Sequence, residues 1–181
     1  MKKTPVLLSI ILLITTLFQA CEVENCPPNA LSFAHFAFVN QHGKELTSSV
    51  PTSIYGVIKT DVTINKELPD GTVVEEIVKD SIIRDTLINK QSNLSSFNVP
   101  LSYGDETTFI IDYDGEREDI INIKHRNIPY FLNIDCGTMM FHEVTEVTAS
   151  NGIDSIQIIN PNIDNYEKEN FKIYFTVADN Q

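Results

Sequence analysis

The sequence is poor in cysteine and in positive charge. It holds three cysteines, and 13 basic residues against 25 acidic ones. Such a chain is badly suited to neutralising phosphates, which argues against binding nucleic acid or an anionic membrane surface by charge. No GxSxG, HExxH, P-loop or dinucleotide fingerprint occurs, so no residue is marked as nucleophile or base. No cysteine or histidine pair has the close spacing of a structural zinc site, and neither metal nor cofactor is expected. Long apolar patterns of period 3.6 are missing after residue 20, which argues against a helical domain. No internal repeat is visible.

The one apolar run is short. Lys2 and Lys3 precede Val6–Phe18, "VLLSIILLITTLF", 13 residues. As a helix it would span roughly 20 Å, less than the roughly 30 Å of a bilayer core. A basic front, a short apolar middle and the small Ala20 read as a signal peptide over residues 1–20. The other readings are a buried helix or an uncleaved anchor. Cutting after Ala20 in the ordinary way puts bulky Phe18 at the −3 position, which suits that peptidase poorly. A cut before Cys21, "LFQA|C", resembles the lipobox of bacterial lipoproteins, although Phe18 and Gln19 replace the usual Leu and small residue. Cys21 is therefore expected to be acylated and to become the new N-terminus. Secretion in soluble form, with Cys21 an ordinary thiol, is the alternative.

With Cys21 lipidated, Cys26 and Cys136 remain. In an oxidising compartment two leftover cysteines most simply form one bridge, closing a loop of about 110 residues. The alternative is two buried, unbridged thiols. Residues 21–29 are read as a short tether and 30–181 as a single domain. From Cys21 onward, 11 basic and 25 acidic residues leave a formal charge of −14. The acids are scattered, as on a solvated face. "EVEN" after Cys21 places two acids beside the anchor, resembling a surface-export signal of some bacterial groups.

What the chain does have is short β-branched and aromatic runs bounded by turn residues. "LSFAHFAFV" reads as a buried strand, followed by a turn at "QHG". "SIYGVIKTDVTI" is a second strand, with Gly56 a bulge or close-approach point. "LPDGTVVEEIV" carries the hairpin pair Asp70-Gly71; "DSIIRDTLI" and "LSSFNVPL" follow as strands. "TFIIDYDGEREDIINIK" is the clearest hairpin, around Asp114-Gly115, and Asn151-Gly152 suggests another. "FKIYFTV" closes the series. Pro129 and Pro161 fit strand ends or turns. Roughly nine or ten strands with short connections favour an all-β, antiparallel β-sandwich, immunoglobulin-like or related, over a small barrel.

Few residues stand out as sites. Asp112, Asp114, Glu116 and Glu118 alternate in "DYDGERED", but Gly115 is misplaced for an EF-hand loop, and a solvated hairpin tip is the simpler reading. His35, His42, His125 and His142 are isolated in sequence. His35 reads as a core histidine, and His142 would share a strand face with Cys136, Thr138 and Met140. Asp-(Ser/Thr)-aliphatic triplets begin at Asp80, Asp85 and Asp154. They resemble the acceptor for O-linked glycans on exported Bacteroidetes proteins, with Ser81, Thr86 and Ser155 as acceptors, though chance also makes such triplets. The "NLS" sequon at Asn93 means little in a bacterium.

"CEVENC", "NIPYFLNIDCGTMMFH" and "IDSIQIINPNIDNYEKENFKIYF" together resemble an uncharacterised family of Bacteroidales lipoproteins of the outer membrane or periplasm. The resemblance runs along most of the chain after the leader. It implies a small exported β-domain with Cys26 and Cys136 paired, and suggests a partner among outer-membrane barrel proteins. "KELPDGTVVEEIVKD" is longer than the resemblance leads one to expect and reads as an extended hairpin. It supplies no activity. The expected function is a non-catalytic binding or scaffold domain, lipid-anchored to the outer membrane and facing the periplasm or the surface. The alternatives are a glycan- or peptide-capture module, which exposed Tyr130 and Phe131 would favour, and, more remotely, a hydrolase.

Overall fold

The computed structural model describes Cys26 and residues 31–134, 136–166 and 168–177. The leader at 1–20 and Cys21 lie outside these residues. Ten strands follow one another: β1 (Phe33–Asn40), β2 (Thr52–Glu67), β3 (Val73–Gln91), β4 (Ser96–Pro100), β5 (Glu106–Tyr113), β6 (Arg117–Asn133), β7 (Gly137–Ser150), β8 (Ser155–Ile158), β9 (Asn162–Ile163) and β10 (Phe171–Phe175). They form a four-stranded sheet, β4-β1-β10-β8, and a six-stranded sheet, β3-β2-β5-β6-β7-β9. All pairs are antiparallel except β1 with β10. The fold is the all-β sandwich expected from the turn pattern.

The two sheets meet over an aromatic centre. On β1, Ala34, Phe36 and Phe38 are buried while His35 and Ala37 between them are not, the alternation of a strand with one covered face. Phe36 pairs across strands with Phe97 of β4 and Phe171 of β10. Its ring stacks on both, at 4.7 Å and 4.6 Å between centres, and meets Phe109 of the opposite sheet edge-on at 6.1 Å. Ile54, Ile111, Ile121, Ile123, Val144 and Ile163 complete the six-stranded side. His35 is a correction to the sequence reading: it stands on the outer face of β1, and Asn170 binds its backbone N–H and C=O.

The turns follow their residues, with one exception. Asp114 (φ 54°) and Gly115 (φ 80°) close β5 onto β6 with the two positive φ values of a type I′ hairpin. Leu68 and Thr72 bracket the β2–β3 turn, where the N–H of Leu68 donates to the C=O of Thr72. At Asn151-Gly152 the expected hairpin is absent. The chain leaves the six-stranded sheet there, and β8 pairs with β10 in the other. The corner is held by Asp119, whose carboxylate accepts the Gly152 N–H at 2.7 Å, and by Asn151, whose side-chain amide donates to the C=O of Glu118.

Two hairpins outgrow the sandwich. The segments "VVEEIV" and "DSIIRDTLI", separate in the sequence reading, form one 19-residue strand, β3, along the whole of β2. β2 pairs with β5 only as far as Val57, opposite Thr108. β6 pairs with β5 only as far as Lys124, opposite Glu106. Because β2 and β6 both run antiparallel to β5, both continue past its start in the same direction. The β2–β3 and β6–β7 ribbons therefore project from one end of the molecule, on either side of the short β5. Pro129 lies inside β6, opposite Met140, and not at a strand end. It tolerates that position because β6 there has lost its β5 neighbour and pairs with β7 alone.

Candidate functional site

The end that carries the two ribbons has an unusual surface. On β2, Ile54, Gly56 and Ile58 alternate on the face that covers the core. Beyond Ile58 that face continues without the smaller sheet over it. It bears Ile58 opposite Ile83, Thr60 opposite Ser81, Val62 opposite Val78, Ile64 opposite Glu76 and Lys66 opposite Val74, with Lys66 and Glu76 joined as an ion pair. Ile58, Ile64, Val74, Val78 and Ile83 are exposed. Ile77 and Ile82, on the other face, are 62% and 64% exposed. Two-stranded ribbons rarely bury enough to be stable alone, and exposed apolar side chains gathered on one face mark a contact surface.

The β6–β7 ribbon ends in the cysteine bridge. Cys26 is joined to Cys136, with 5.2 Å between Cα atoms and 110 residues between them in sequence. The sequence reading of this pair holds. Leu31 bridges to Met140 of β7, whose carbonyl also accepts the Ser32 hydroxyl at 2.6 Å. Next to the bridge Ile134 is 92% exposed and Phe131 63%. Tyr130 is also exposed, but it and Phe131 point to opposite faces. Tyr130 stacks instead on Phe141, 5.0 Å between ring centres. Both aromatics are exposed, yet they form no joint platform.

The opposite end holds a cleft of about 560 Å³ between the 46–50 segment, the β5–β6 turn and the chain after β10. Arg117 is its cation. The guanidinium lies 4.4 Å from the ring centre of Tyr113 and donates to Asp119 at 3.0 Å. Asp119 is fully buried and also takes the Gly152 N–H. Burial, aided by the nearby Asp119 charge, raises the pKa of the Tyr113 hydroxyl well above its ordinary value. Glu116 and Asp154 add negative charge to the walls.

A third cluster was hidden from sequence reading. His125 and His142, 17 positions apart, pack edge-to-face at 5.0 Å between ring centres. The Asn127 carbonyl oxygen faces Nδ1 of both, at 3.0 Å and 2.7 Å, and Thr107 Oγ1 lies 2.8 Å from Nε2 of His125. The Asn127 amide donates to the carbonyls of Tyr103 and Gly104 at 2.6 Å each, pinning the loop before β5. Burial lowers the pKa of both imidazoles; for His142, helped by the neighbouring His125, it falls to about 4. Both rings are neutral at pH 7, and the bonded set is a packed polar network. The signal available in sequence was the spacing Ile121, Ile123, His125 on one strand face.

The remaining sequence-marked residues do not converge. Asp112 accepts the Gly115 N–H, Asp114 pairs with Lys90, and Glu118 pairs with Arg84. Among the described residues no three His, Cys, Asp or Glu side chains are grouped to hold a metal. Thr86 and Ser155 are exposed, and Ser81 is half-buried with its hydroxyl on the Val78 carbonyl. All three lie on the edge strands β3 and β8.

A family described as of unknown function, DUF6452, matches residues 72–175, more than half of the chain. No curated protein and no solved structure matches it.

Proposed function

The chain belongs to the DUF6452 family, and we propose that it is a lipid-anchored domain of the bacterial cell envelope that binds or scaffolds another envelope protein without catalysing a reaction. In this reading residues 1–20 are the lipoprotein signal and Cys21 carries the lipid. The acyl chains of a bacterial lipoprotein, at about 0.8 kcal/mol per buried CH₂, hold it on the outer membrane. Residues 21–29 are the tether to the domain at 30–181. The Bacteroidales resemblance of the sequence supports this placing, and makes an outer-membrane barrel protein the natural partner. O-glycans on Ser81, Thr86 and Ser155 would cover sheet edges that otherwise invite strand pairing.

The observation that carries the binding reading is the uncovered inner face of the β2–β3 ribbon, with Ile58, Val62, Ile64, Val74, Val78 and Ile83 beyond the end of the smaller sheet. Crosslinking in the native host followed by mass spectrometry tests it, with the full chain and with a chain whose residues 59–82 are replaced by a tight turn between the paired Ile58 and Ile83. One envelope protein recovered with the first and lost with the second is expected. Recovery of none rejects it.

The cleft at Arg117 favours a second reading, capture of a small glycan or peptide. Its volume lies in the range of ligand sites. Binding on a glycan or peptide array that Arg117→Ala abolishes would replace the scaffold reading with this one.

A further inference from the structure

We infer that the domain stands on the bilayer on its two hairpin tips, with Ile134 and Phe131 of one and Leu68 and Val73 of the other entering the zwitterionic lipid interface beside the acyl anchor. This rests on acylation of Cys21, proposed above, and adds an orientation and a second membrane contact to it.

The tether sets the first constraint. Cys26 follows Cys21 by five residues, which span at most about 18 Å when fully extended. Cys26 is bonded to Cys136, at the tip of the β6–β7 ribbon. β6 has 17 residues from its first turn to that tip, roughly 55 Å at 3.3 Å per residue. An anchor rooted at the tip on so short a leash cannot bring the far end, at Gly115, to the membrane while the tip points away. The tip end is the membrane end.

The second constraint is that the two tips are level. Val57 of β2 and Asn122 of β6 lie in one row, both paired with Thr108 of β5. From that row β2 runs ten residues to Glu67 and β6 runs eleven to Asn133. The ribbons thus extend past that row by equal lengths to within about one residue's rise, roughly 3 Å. Two level supports can rest on a plane together.

The chemistry at the tips is the third observation. Ile134 is 92% exposed, Phe131 63% and Val73 61%. Apolar and aromatic side chains of this kind are stabilised at a headgroup boundary. At the first tip Ile134 and Phe131 lie two and five residues before Cys136, whose bridge holds the anchored segment, so a lipid surface is already within reach. The chain's net negative charge selects a zwitterionic surface over an anionic one.

The chain contains no tryptophan, so a single introduced indole reports its own surroundings. Ile134→Trp, Leu68→Trp and Glu116→Trp chains, purified in acylated form from host membranes, are placed in phosphatidylcholine vesicles with and without bromine on the acyl chains. Glu116 lies in the turn at the far end. The inference expects at least twofold quenching at 134 and 68 and none at 116. Intact mass of the same samples reports the acyl groups and the Cys26–Cys136 bridge. Acylated, bridged protein with no quenching at 134 or 68 overturns the inference and leaves the anchor standing. Protein without acyl groups overturns both. Quenching at 116 equal to that at 134 overturns the orientation.

Discussion

His142 stands at right angles to His125, 5.0 Å between ring centres, and both present Nδ1 to the side-chain oxygen of Asn127. The pKa of His142 is about 4 in the fold, against about 6.5 for an exposed imidazole. Well above pH 6.5 neither folded nor unfolded chain binds this proton, and the contribution to stability is complete. As pH falls from 6.5 to 4 the unfolded chain takes up a proton that the fold refuses, so stability falls. Roughly 3 kcal/mol is lost by pH 4. His125, also lowered, adds with the same sign. Urea midpoints between pH 7.5 and 4.5 should drop for the natural chain and drop less for His142→Phe. Parallel profiles would refute the assignment.

Asn127 is the hinge of that network. Asn127→Ala leaves two buried ring N–H groups without an acceptor and frees the Tyr103 and Gly104 carbonyls. Each orphaned buried group costs about 1–3 kcal/mol, so a loss on the order of 3 kcal/mol is expected at pH 7.5. Amide exchange of residues 102–106 should rise with it. A stability change below about 1 kcal/mol would show that the network is not a structural unit.

Gly152 lies against Arg117. A Cβ at 152 would stand 2.9 Å from the guanidinium carbon. Gly152→Ala therefore makes the flexible, half-exposed Arg117 guanidinium shift against Asp119, a buried carboxylate that also accepts the Gly152 N–H. Removing the cation from a fully buried carboxylate destabilises by a few kcal/mol. Thermal unfolding should show Arg117→Ala to be destabilising, Gly152→Ala to be less so, and the double variant to be little worse than Arg117→Ala alone. Additive losses would mean that the two side chains act independently.

The turn chemistry carried most of the fold into the sequence. Asp114-Gly115 and the run "LPDG" close hairpins because the backbone there needs what Asp, Pro and Gly offer. Asn151-Gly152 has the same local chemistry and a different outcome, since buried Asp119 captures the Gly152 N–H and turns the chain to the other sheet. That partner lies 33 residues upstream, beyond any local rule. The extended hairpin around Asp70-Gly71 is legible in sequence, but its full length is not, for a related reason. Alternation marks a strand but not its partner's length, so β3 reads as two strands in sequence although β2 runs beside all of it. The Cys26–Cys136 pair was legible because so few cysteines left few choices. The His pair was not, because a bulge beside Thr145 brings Val144 and His142 onto the core face out of step with Val147.

Removing the bridge should separate its two roles. Cys26→Ala with Cys136→Ala reopens a 110-residue loop, which in the chain-entropy picture costs about 4–5 kcal/mol and in practice 2–5. The core around Phe36 is far from the tip along β6 and β7, so the fold is expected to survive with a lower urea midpoint. Local protection should fall most at the tip, residues 128–141, where β6 pairs with β7 alone. Hydrogen exchange by mass spectrometry reads both effects in one experiment. Nonreducing peptide mapping of the natural chain comes first, because a free Cys136 thiol in the mature protein would remove the premise. Equal loss of protection across all strands would show instead that the bridge supports the whole sandwich and not the end that carries the tether.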